Sequence, residues 1–472
     1  MKMQLRLLAA LLLAAAAPSI ALAKAAPPAL PAPALPACDD SLKAAFKPDD
    51  LTSVIAVKLF KSGDPLVMTE PEQRPIKALN ELCLVKLVVG PGNPGPAGAP
   101  STSPGIGIEV WLPARAAWNE RIHTIGGLGG FDGGEHANPA RIGWPYAALT
   151  AGGEGAVSAS TDSGHRLIDG SWGMNPDGTI ARQLWTDFAH RAQHEMALKV
   201  KALTLLYYGR QQKFAYYEGA STGGRHGYRL AQQYPGDYDG IIGVLPAISW
   251  NGWVTSAAFG RLVDQRDLGG VALTESQQDL ASNAAIRACD VVGGVHLGYI
   301  MDNPACIYDP STDRSVLCRR DGGANRTADC LGKAQAMALN KKWYGITSDG
   351  SVPSPALDNG VASKLEGKHR WYGFVRGTSL YNAYYSKLDP FYSKLLREAS
   401  QGGSGREADW IALILQNPTL AGPTFKNASG DGQALWRELS YAQLNNAFDR
   451  GAALEPVFGN LASDNSDLSG LQ

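Results

Sequence analysis

The sequence has 472 residues, of which 44% are hydrophobic and 18% are charged, so it is long and apolar enough to bury one or two large cores. Its formal net charge of −1 argues against nucleic acid or an anionic membrane surface as the main partner. No oligomeric state follows from these numbers.

The first 37 residues predict export. Residues 1–23 have the composition of a secretory signal peptide, with Lys2 and Arg6 before the apolar run Leu7–Ala17 and an Ala-Leu-Ala cleavage site. A membrane anchor is the weaker interpretation, because it would need a longer uninterrupted apolar run. Residues 24–37 are rich in Pro and Ala and predict a linker. The mature protein is therefore expected to be secreted or periplasmic.

The cysteine content agrees with an exported protein. Six cysteines predict three disulfides, and four of the six cluster between residues 289 and 330. These four allow three pairings, and the pairing that we favour is Cys38–Cys83, Cys289–Cys306 and Cys318–Cys330. Metal binding is the weaker interpretation, since no C-x-x-C pair occurs.

A glycine-rich loop follows the first two predicted strands. Ile106–Leu112 and Arg121–Ile125 have apolar residues in strand patterns, and Arg121–Ile125 leads into the loop Gly126–Gly134. In an esterase such a loop supplies an oxyanion donor, here around Gly127 or Leu128. A flexible surface loop is the alternative, and a phosphate cradle is disfavoured because no G-K-[ST] follows.

Two pairs of polar residues have the spacing of catalytic or metal-binding pairs. Asp162 and His165 lie in a turn after a predicted strand, where local loop hydrogen bonding is the more common role. Leu184–Tyr208 predicts a long amphipathic helix that carries His190 and His194 at i, i+4. No third ligand is evident, so we interpret both histidines as ordinary residues of one helix face.

The most informative stretch is G-x-S-x-G at residues 219–223. Phe214–Tyr217 predicts a strand before it, and Arg225–Gln233 predicts a helix after it. A serine on such a tight strand-to-helix turn is a nucleophile elbow, so Ser221 is the candidate nucleophile and the N–H of Thr222 a candidate oxyanion donor. The alternative is a glycine-rich turn without catalytic meaning.

The order of the predicted elements indicates an α/β fold. Residues 238–246 predict another strand after the elbow helix, and strand, helix, strand is the alternation of a parallel sheet. After residue 250 the sequence pattern changes, and the segments that follow are helical, contain the clustered cysteines or are rich in aromatic residues. We therefore predict a core over residues 38–250 and a second, inserted domain over residues 251–414.

Several segments together resemble the tannase and feruloyl esterase family of α/β-hydrolases. They are Thr161–His165, Ser221–Arg225, Tyr234–Ile242, Ala288–Asp290 and Ser463–Ser469. The resemblance implies an α/β-hydrolase core with a mostly parallel sheet, a lid domain inserted at 251–414, and a return to the core at 415–472. It also implies hydrolysis of a small-molecule ester between an aromatic acid and an alcohol or sugar, without a cofactor.

Two departures from the family concern stabilising features. Ala220 stands where the family commonly has a cysteine that is disulfide-bonded near the catalytic histidine. The lid of the family often holds calcium, but the corresponding run here begins at Asp290 and has Gly293 and Leu297 at carboxylate positions. A hard cation needs several oxygen ligands, so we predict no metal there.

A third departure concerns the acid and the base. In α/β-hydrolases the triad order is Ser, Asp or Glu, then His, and the last histidine here is His369, within the predicted lid. The family's acid and histidine would lie on strands after Gln472, and His165 and His226 are poor substitutes. The sequence therefore predicts a core without its last strands, with an exposed sheet edge, and an impaired Ser221. The alternative is a non-catalytic member that at most binds aromatic ligands.

Overall fold

The computed structural model describes residues 35–71, 75–127, 129–380 and 405–471. Contacts divide the chain into Met1–Leu35 and Pro36–Gln472, and the account below concerns the second unit. The predicted signal peptide and nearly all of the predicted linker lie outside the described residues.

A four-stranded sheet and a three-stranded sheet, joined by one isolated bridge, form the first half of the described chain. Their strands are β1 (Thr52–Phe60), β2 (Leu82–Val89), β3 (Ile106–Pro113), β4 (Arg121–Ile125), β5 (Ser158–Thr161), β6 (Phe214–Ala220) and β7 (Gly240–Val244). Strands β1, β2, β3 and β5 pair antiparallel in that order, and β4, β6 and β7 pair parallel. A parallel bridge between Ile122 and Val157 joins the two sets. The parallel sheet expected from the sequence is thus the part that leads to Ser221.

The described helices are α1 (Asp40–Ala45), α2 (Tyr146–Glu154), α3 (Arg182–Thr186), α4 (Ala192–Tyr208), α5 (Thr222–Gln233), α6 (Trp250–Asp267), α7 (Glu275–Cys289), α8 (Lys333–Tyr344), α9 (Gly405–Leu415) and α10 (Tyr441–Ala453). Short 3₁₀ turns lie at Gly170–Gly173, Arg319–Asp321, Pro418–Leu420, Leu435–Glu438 and Ser469–Leu471. None of the helices in the described ranges is both long and apolar enough to cross a membrane.

Helices cover both faces of the antiparallel strands. Alternate residues of β2 point to opposite faces, so Val85 and Leu87 pack with Met196 and Val200 of α4, while Leu84 packs with the alanines of α2. This two-sided burial explains why β2 and β3 are almost wholly buried rather than alternately exposed.

The predicted helix Leu184–Tyr208 is interrupted. A π-helical turn at Asp187–Arg191 separates α3 from α4. Its wider i→i+5 spacing turns backbone carbonyls out of the regular ladder. The carbonyls of Phe188 and Ala189 accept hydrogen bonds from the buried guanidinium of Arg225, which belongs to the elbow helix. Residues 184–208 are thus helical throughout, as the sequence predicts, and the π-helical turn within them is the feature that the sequence analysis did not predict.

The second half of the described chain is helical with two small hairpins. These are β8 (Val291–Val292) with β9 (Val295–His296), and β10 (Gly345–Thr347) with β11 (His369–Tyr372). One large hydrophobic cluster joins α6, α9 and α10 with Trp172 and Trp185. This cluster takes residues from both sides of the predicted boundary at residue 250, and the domain limits stay a prediction.

The six cysteines form three disulfides. They pair as Cys38–Cys83, Cys289–Cys306 and Cys318–Cys330, which is the pairing favoured from the sequence. The first links the N-terminal segment of the described chain to β2. Each of the other two disulfides closes a short loop, because its cysteines are 17 and 12 positions apart in the sequence, respectively.

Candidate active site

Ser221 occupies the turn between β6 and α5. Its backbone has φ 58° and ψ −110°, a left-handed conformation that non-glycine residues rarely adopt. Two hydrogen bonds to the segment after β7 hold the turn: Ser221 N–H donates to Val244 O at 2.8 Å, and Ala247 N–H donates to Ser221 O at 3.2 Å. The serine side chain is only half-buried, so the strained turn presents its hydroxyl at the end of the parallel sheet.

The two glycines of the motif are required by close backbone approach. A Cβ at Gly219 would lie 2.6 Å from the carbonyl carbon and oxygen of Gly223. A Cβ at Gly223 would lie 2.1 Å from the carbonyl oxygen of Gly127. The strand end, the helix start and the glycine-rich loop therefore meet at distances that only glycine permits.

The glycine-rich loop lies beside the serine. Thr222 is buried, and its hydroxyl donates to Gly130 O at 2.7 Å, which fastens the loop to the start of α5. As the first residue of α5, Thr222 has no intrahelical acceptor for its N–H. Gly129, at φ 137°, is adjacent to the hydroxyl, since a Cβ there would lie 3.4 Å from Ser221 Oγ. Leu128, the other predicted donor with Gly127, lies outside the described residues.

A buried aspartate supports this loop. Asp132 has φ 54°, and a Cβ at Gly127 would lie 2.1 Å from Asp132 Oδ1. Ser163 Oγ donates to its carboxylate at 3.4 Å, and burial raises the pKa of Asp132 to about 7. No motif marks Asp132, because its role depends on contacts that form only in the folded chain.

The raised pKa of Asp132 predicts a pH dependence of stability. The folded state binds the proton of Asp132 more tightly than the unfolded state does. Protonation of Asp132 therefore adds its full contribution to the free energy of unfolding below the ordinary pKa of 3.8, and this contribution is lost as pH rises through about 7. Between pH 6 and pH 8 the loss amounts to about 1.4 kcal/mol. Asp132→Asn should remove it, so the free energy of unfolding of the variant should fall less than that of the native chain over this interval.

Urea denaturation at the two pH values measures this difference. Asp329→Asn, at an exposed carboxyl, is the control and should follow the native pH dependence. Parallel curves for the native chain and Asp132→Asn would contradict the expected protonation of Asp132.

All eight histidines are among the described residues, and their hydrogen bonds lead away from Ser221. His226 Nε2 lies 2.8 Å from Phe188 O and 2.6 Å from Arg225 Nη2. His165 Nδ1 donates to Leu167 O at 2.9 Å, its ring stacks on Trp172, and burial lowers the pKa of His165 to about 3. The remaining partners are Glu154 for His123, Ser160 for His136, Tyr234 for His190, Asp237 for His194, Asp290 for His296, and Ser363 and Tyr344 for His369. Within the described ranges no imidazole is hydrogen-bonded to Ser221 Oγ.

The two polar pairs from the sequence have local roles. The carboxylate of Asp162 accepts backbone N–H groups of Gly107 and Gly164 at 2.8 and 2.9 Å. His190 and His194 each bind a residue of the segment after α5, as given above. These contacts agree with loop hydrogen bonding and a packed helix face.

The loop at the family's calcium position does not fit a calcium ion. Asp290 Oδ2 accepts the N–H of Gly298 at 2.9 Å, and Asp290 Oδ1 lies 2.7 Å from His296 Nδ1. Gly293 and Leu297 supply no carboxylate. In the described part of the chain, no group of three His, Cys, Asp or Glu side chains is arranged to hold a metal.

The match to a protein family shows which proteins this chain is related to. Residues 95–369 match the family described as tannase and feruloyl esterase. The chain belongs to the tannase and feruloyl esterase family. It is 35% identical over 246 residues to a probable feruloyl esterase from Arthroderma benhamiae, covering 51% of this chain and 43% of that one. It is 31% identical over 240 residues to feruloyl esterase B from Aspergillus niger, covering 47% and 42%. The chain thus spans less than half the length of these tannase and feruloyl esterase relatives.

Solved structures from this family share the fold. Feruloyl esterase B from Aspergillus oryzae matches with a TM-score of 0.63 at 23% identity, over 92% of this chain and 72% of that chain. Tannin acyl hydrolase from Aspergillus niger matches with a TM-score of 0.56 at 20% identity, over 92% and 71%. At these identities the likeness concerns the fold, which is the expected α/β-hydrolase fold.

Proposed function

We propose that the protein is an exported serine carboxylic ester hydrolase of the tannase and feruloyl esterase type that acts on aromatic acid esters. The observation that carries the proposal is the strained conformation of Ser221, φ 58°, between β6 and α5. Such strain persists where the surrounding structure enforces it, and here it presents a half-buried hydroxyl beside a glycine-rich loop. Family membership supports the ester chemistry, and the names of the feruloyl esterase relatives support an aromatic acid.

In the proposed reaction, Ser221 Oγ attacks the ester carbonyl and the alcohol leaves, which gives an acyl-serine that water then hydrolyses. The N–H of Thr222 and the loop at Gly127 and Leu128 form the oxyanion hole that stabilises the negative oxygen. Because none of the eight histidines is hydrogen-bonded to Ser221, we propose that residues 1–472 by themselves perform this reaction slowly. Loss of the base of a serine triad lowers the rate by about 10³–10⁶.

Export is the remaining element of the proposal. Residues 1–23 have signal-peptide composition, and three disulfides suit an oxidising compartment.

A non-catalytic protein that binds aromatic ligands is the second candidate. It is favoured by the hydrogen bonds of the histidines, none of which is to Ser221.

Imidazole rescue tests the function. Hydrolysis of a chromogenic aryl ferulate by the native chain should be slow, and added imidazole should raise the Ser221-dependent rate by about tenfold, because a diffusible base then accepts the serine proton. Ser221→Ala is the matched control, since it subtracts the reaction of imidazole with the ester itself. A serine-directed phosphonate followed by peptide mapping should show a modification at Ser221 that is absent from Ser221→Ala.

Each outcome has a clear meaning. Rapid turnover without imidazole that is lost in Ser221→Ala would support the hydrolase and contradict the impairment. Rates equal in both variants with imidazole, in a folded chain that binds ferulate, would favour the non-catalytic binder. Rapid turnover unchanged in Ser221→Ala would contradict the assignment of the nucleophile.

A further inference from the structure

A second serine is hydrogen-bonded to a histidine far along the chain from Ser221. Ser363 and His369 line a cavity of about 560 Å³ at the segment that connects β10 to β11, together with Ile307, Tyr344, Leu357 and Lys364. The hydroxyl of Ser363 lies 2.7 Å from His369 Nδ1. Ser363 is half-buried and His369 is buried, and both residues line the cavity.

The hydrogen bonds define the tautomer of His369. Its Nε2 lies 3.1 Å from the carbonyl oxygen of Tyr344, which is an acceptor only. Nε2 of a neutral ring must therefore carry the proton and donate it. Nδ1 then has a free lone pair that faces the O–H of Ser363, and the same serine hydroxyl also contacts the hydroxyl of Tyr344.

The support of this pair is rigid. His369 is the first residue of β11 and pairs with Thr347 of β10, and its ring packs on Tyr344 at 4.3 Å between centroids. The hydroxyl of Tyr344 donates to Asp358 Oδ2 at 2.8 Å. A nucleophile, a base within hydrogen-bonding reach and a third group that orients the base are the three parts of an activated serine.

We infer that Ser363 and His369 form a second acyl-accepting site, which takes the acyl group of small aryl esters independently of Ser221. The cavity has the volume of small-molecule sites. Ile307 and Leu357 line its open side. The charged lining residues are Asp358, Lys364, Glu366 and Lys368, and the two lysines suit a negatively charged leaving oxygen.

The covalent step balances within the pair and the ester. Ser363 Oγ forms a bond to the acyl carbon while its proton passes to His369 Nδ1. The bond between the acyl carbon and the aryl oxygen then breaks, and the imidazolium returns the proton to the departing phenol. The product is an ester of Ser363, and no oxidant or further reactant is needed.

The test is labelling in the Ser221→Ala variant, where the elbow serine is absent. An alkyl fluorophosphonate releases fluoride when a serine attacks phosphorus, and peptide mapping with mass spectrometry gives the rate at each serine. Ser351 is the internal control, because it is an exposed serine of the nearby turn whose hydroxyl donates to Asp349 rather than to an imidazole. Ser363 should be labelled about 10²-fold faster than Ser351, as general-base assistance typically provides.

A second variant assigns the effect to the base. In Ser221→Ala/His369→Gln, labelling of Ser363 should fall to the rate of Ser351, with folding checked by circular dichroism. If that variant does not fold, single Ser363→Cys and Ser351→Cys variants are compared with iodoacetamide, and Ser363→Cys should react about tenfold faster because the imidazole favours the thiolate.

Equal labelling of Ser363 and Ser351, or fast labelling of Ser363 that persists without His369, would overturn the inference. Equal alkylation of the two cysteine variants would overturn it as well. None of these results depends on Ser221, so the proposed ester hydrolase and this second site succeed or fail separately.

Discussion

Gly223→Ala should destabilise the fold by about 2–4 kcal/mol, because it overpacks a backbone contact. The new Cβ would lie 2.1 Å from Gly127 O and 2.9 Å from Gly127 N. Neither side has room to move: α5 is bound to the π-helical turn through Arg225, and Gly127 lies against the buried Asp132. The variant should also displace the loop from Ser221 and abolish phosphonate labelling there.

Chemical denaturation of Gly223→Ala and Gly260→Ala measures this effect against a matched substitution. Gly260 lies inside α6 with open space where a Cβ would be. Gly260→Ala should therefore stabilise the protein by about 0.5–1 kcal/mol, since alanine loses less backbone entropy in a helix. A Gly223→Ala variant as stable as the native chain would contradict the close approach of the loop and the elbow.

Arg225→Met should cost about 3 kcal/mol or more in the free energy of unfolding. The guanidinium is fully buried and donates to Phe188 O and Ala189 O, both at 2.9 Å, and its plane lies 4.8 Å from the Phe188 ring. Methionine keeps much of the volume but removes both guanidinium hydrogen bonds, and of the two carbonyls only that of Phe188 keeps a side-chain partner, His226 Nε2. The turn at Asp187–Arg191 should then relax towards a regular helix.

Thermal and urea unfolding of Arg225→Met and Arg225→Lys give the measurement. Arg225→Lys keeps the charge but loses the two-pronged geometry, so its loss should be intermediate. Arg121→Met, at an exposed position, is the control and should change stability by about 0.5 kcal/mol or less. Equal stability of Arg121→Met and Arg225→Met would contradict the role of the buried guanidinium.

The elements found from the sequence are those with clear local signals. Strand Arg121–Ile125 has the predicted bounds, and the predicted helix Arg225–Gln233 ends where α5 ends, at Gln233. Strand β2 was not singled out, because it is buried on both faces and carries Lys86 in its middle. That lysine is paired with Glu109 at 2.5 Å in the core, a contact that no local pattern reveals.

Some residues of the candidate site follow from a local motif, and others can be recognised only from contacts in the folded chain. Ser221 and Thr222 follow from G-x-S-x-G, because the turn that the motif requires is local. The hydrogen bonds of Asp132 and Arg225 given above reach residues 31 to 37 positions away in sequence, so only the folded chain brings these contacts together. Ser363 and His369 are close in sequence, but their hydrogen bond depends on the path of the loop that leads into β11.

The outer face of β7 has a consequence for handling the protein. Among the described strands β7 pairs only with β6, and the side chains of Ile242, Val244 and Leu245 are 58%, 40% and 80% exposed. Unpaired backbone groups next to apolar side chains are a template on which a strand of another molecule adds. At high concentration the 472-residue chain should therefore self-associate through the exposed edge of β7.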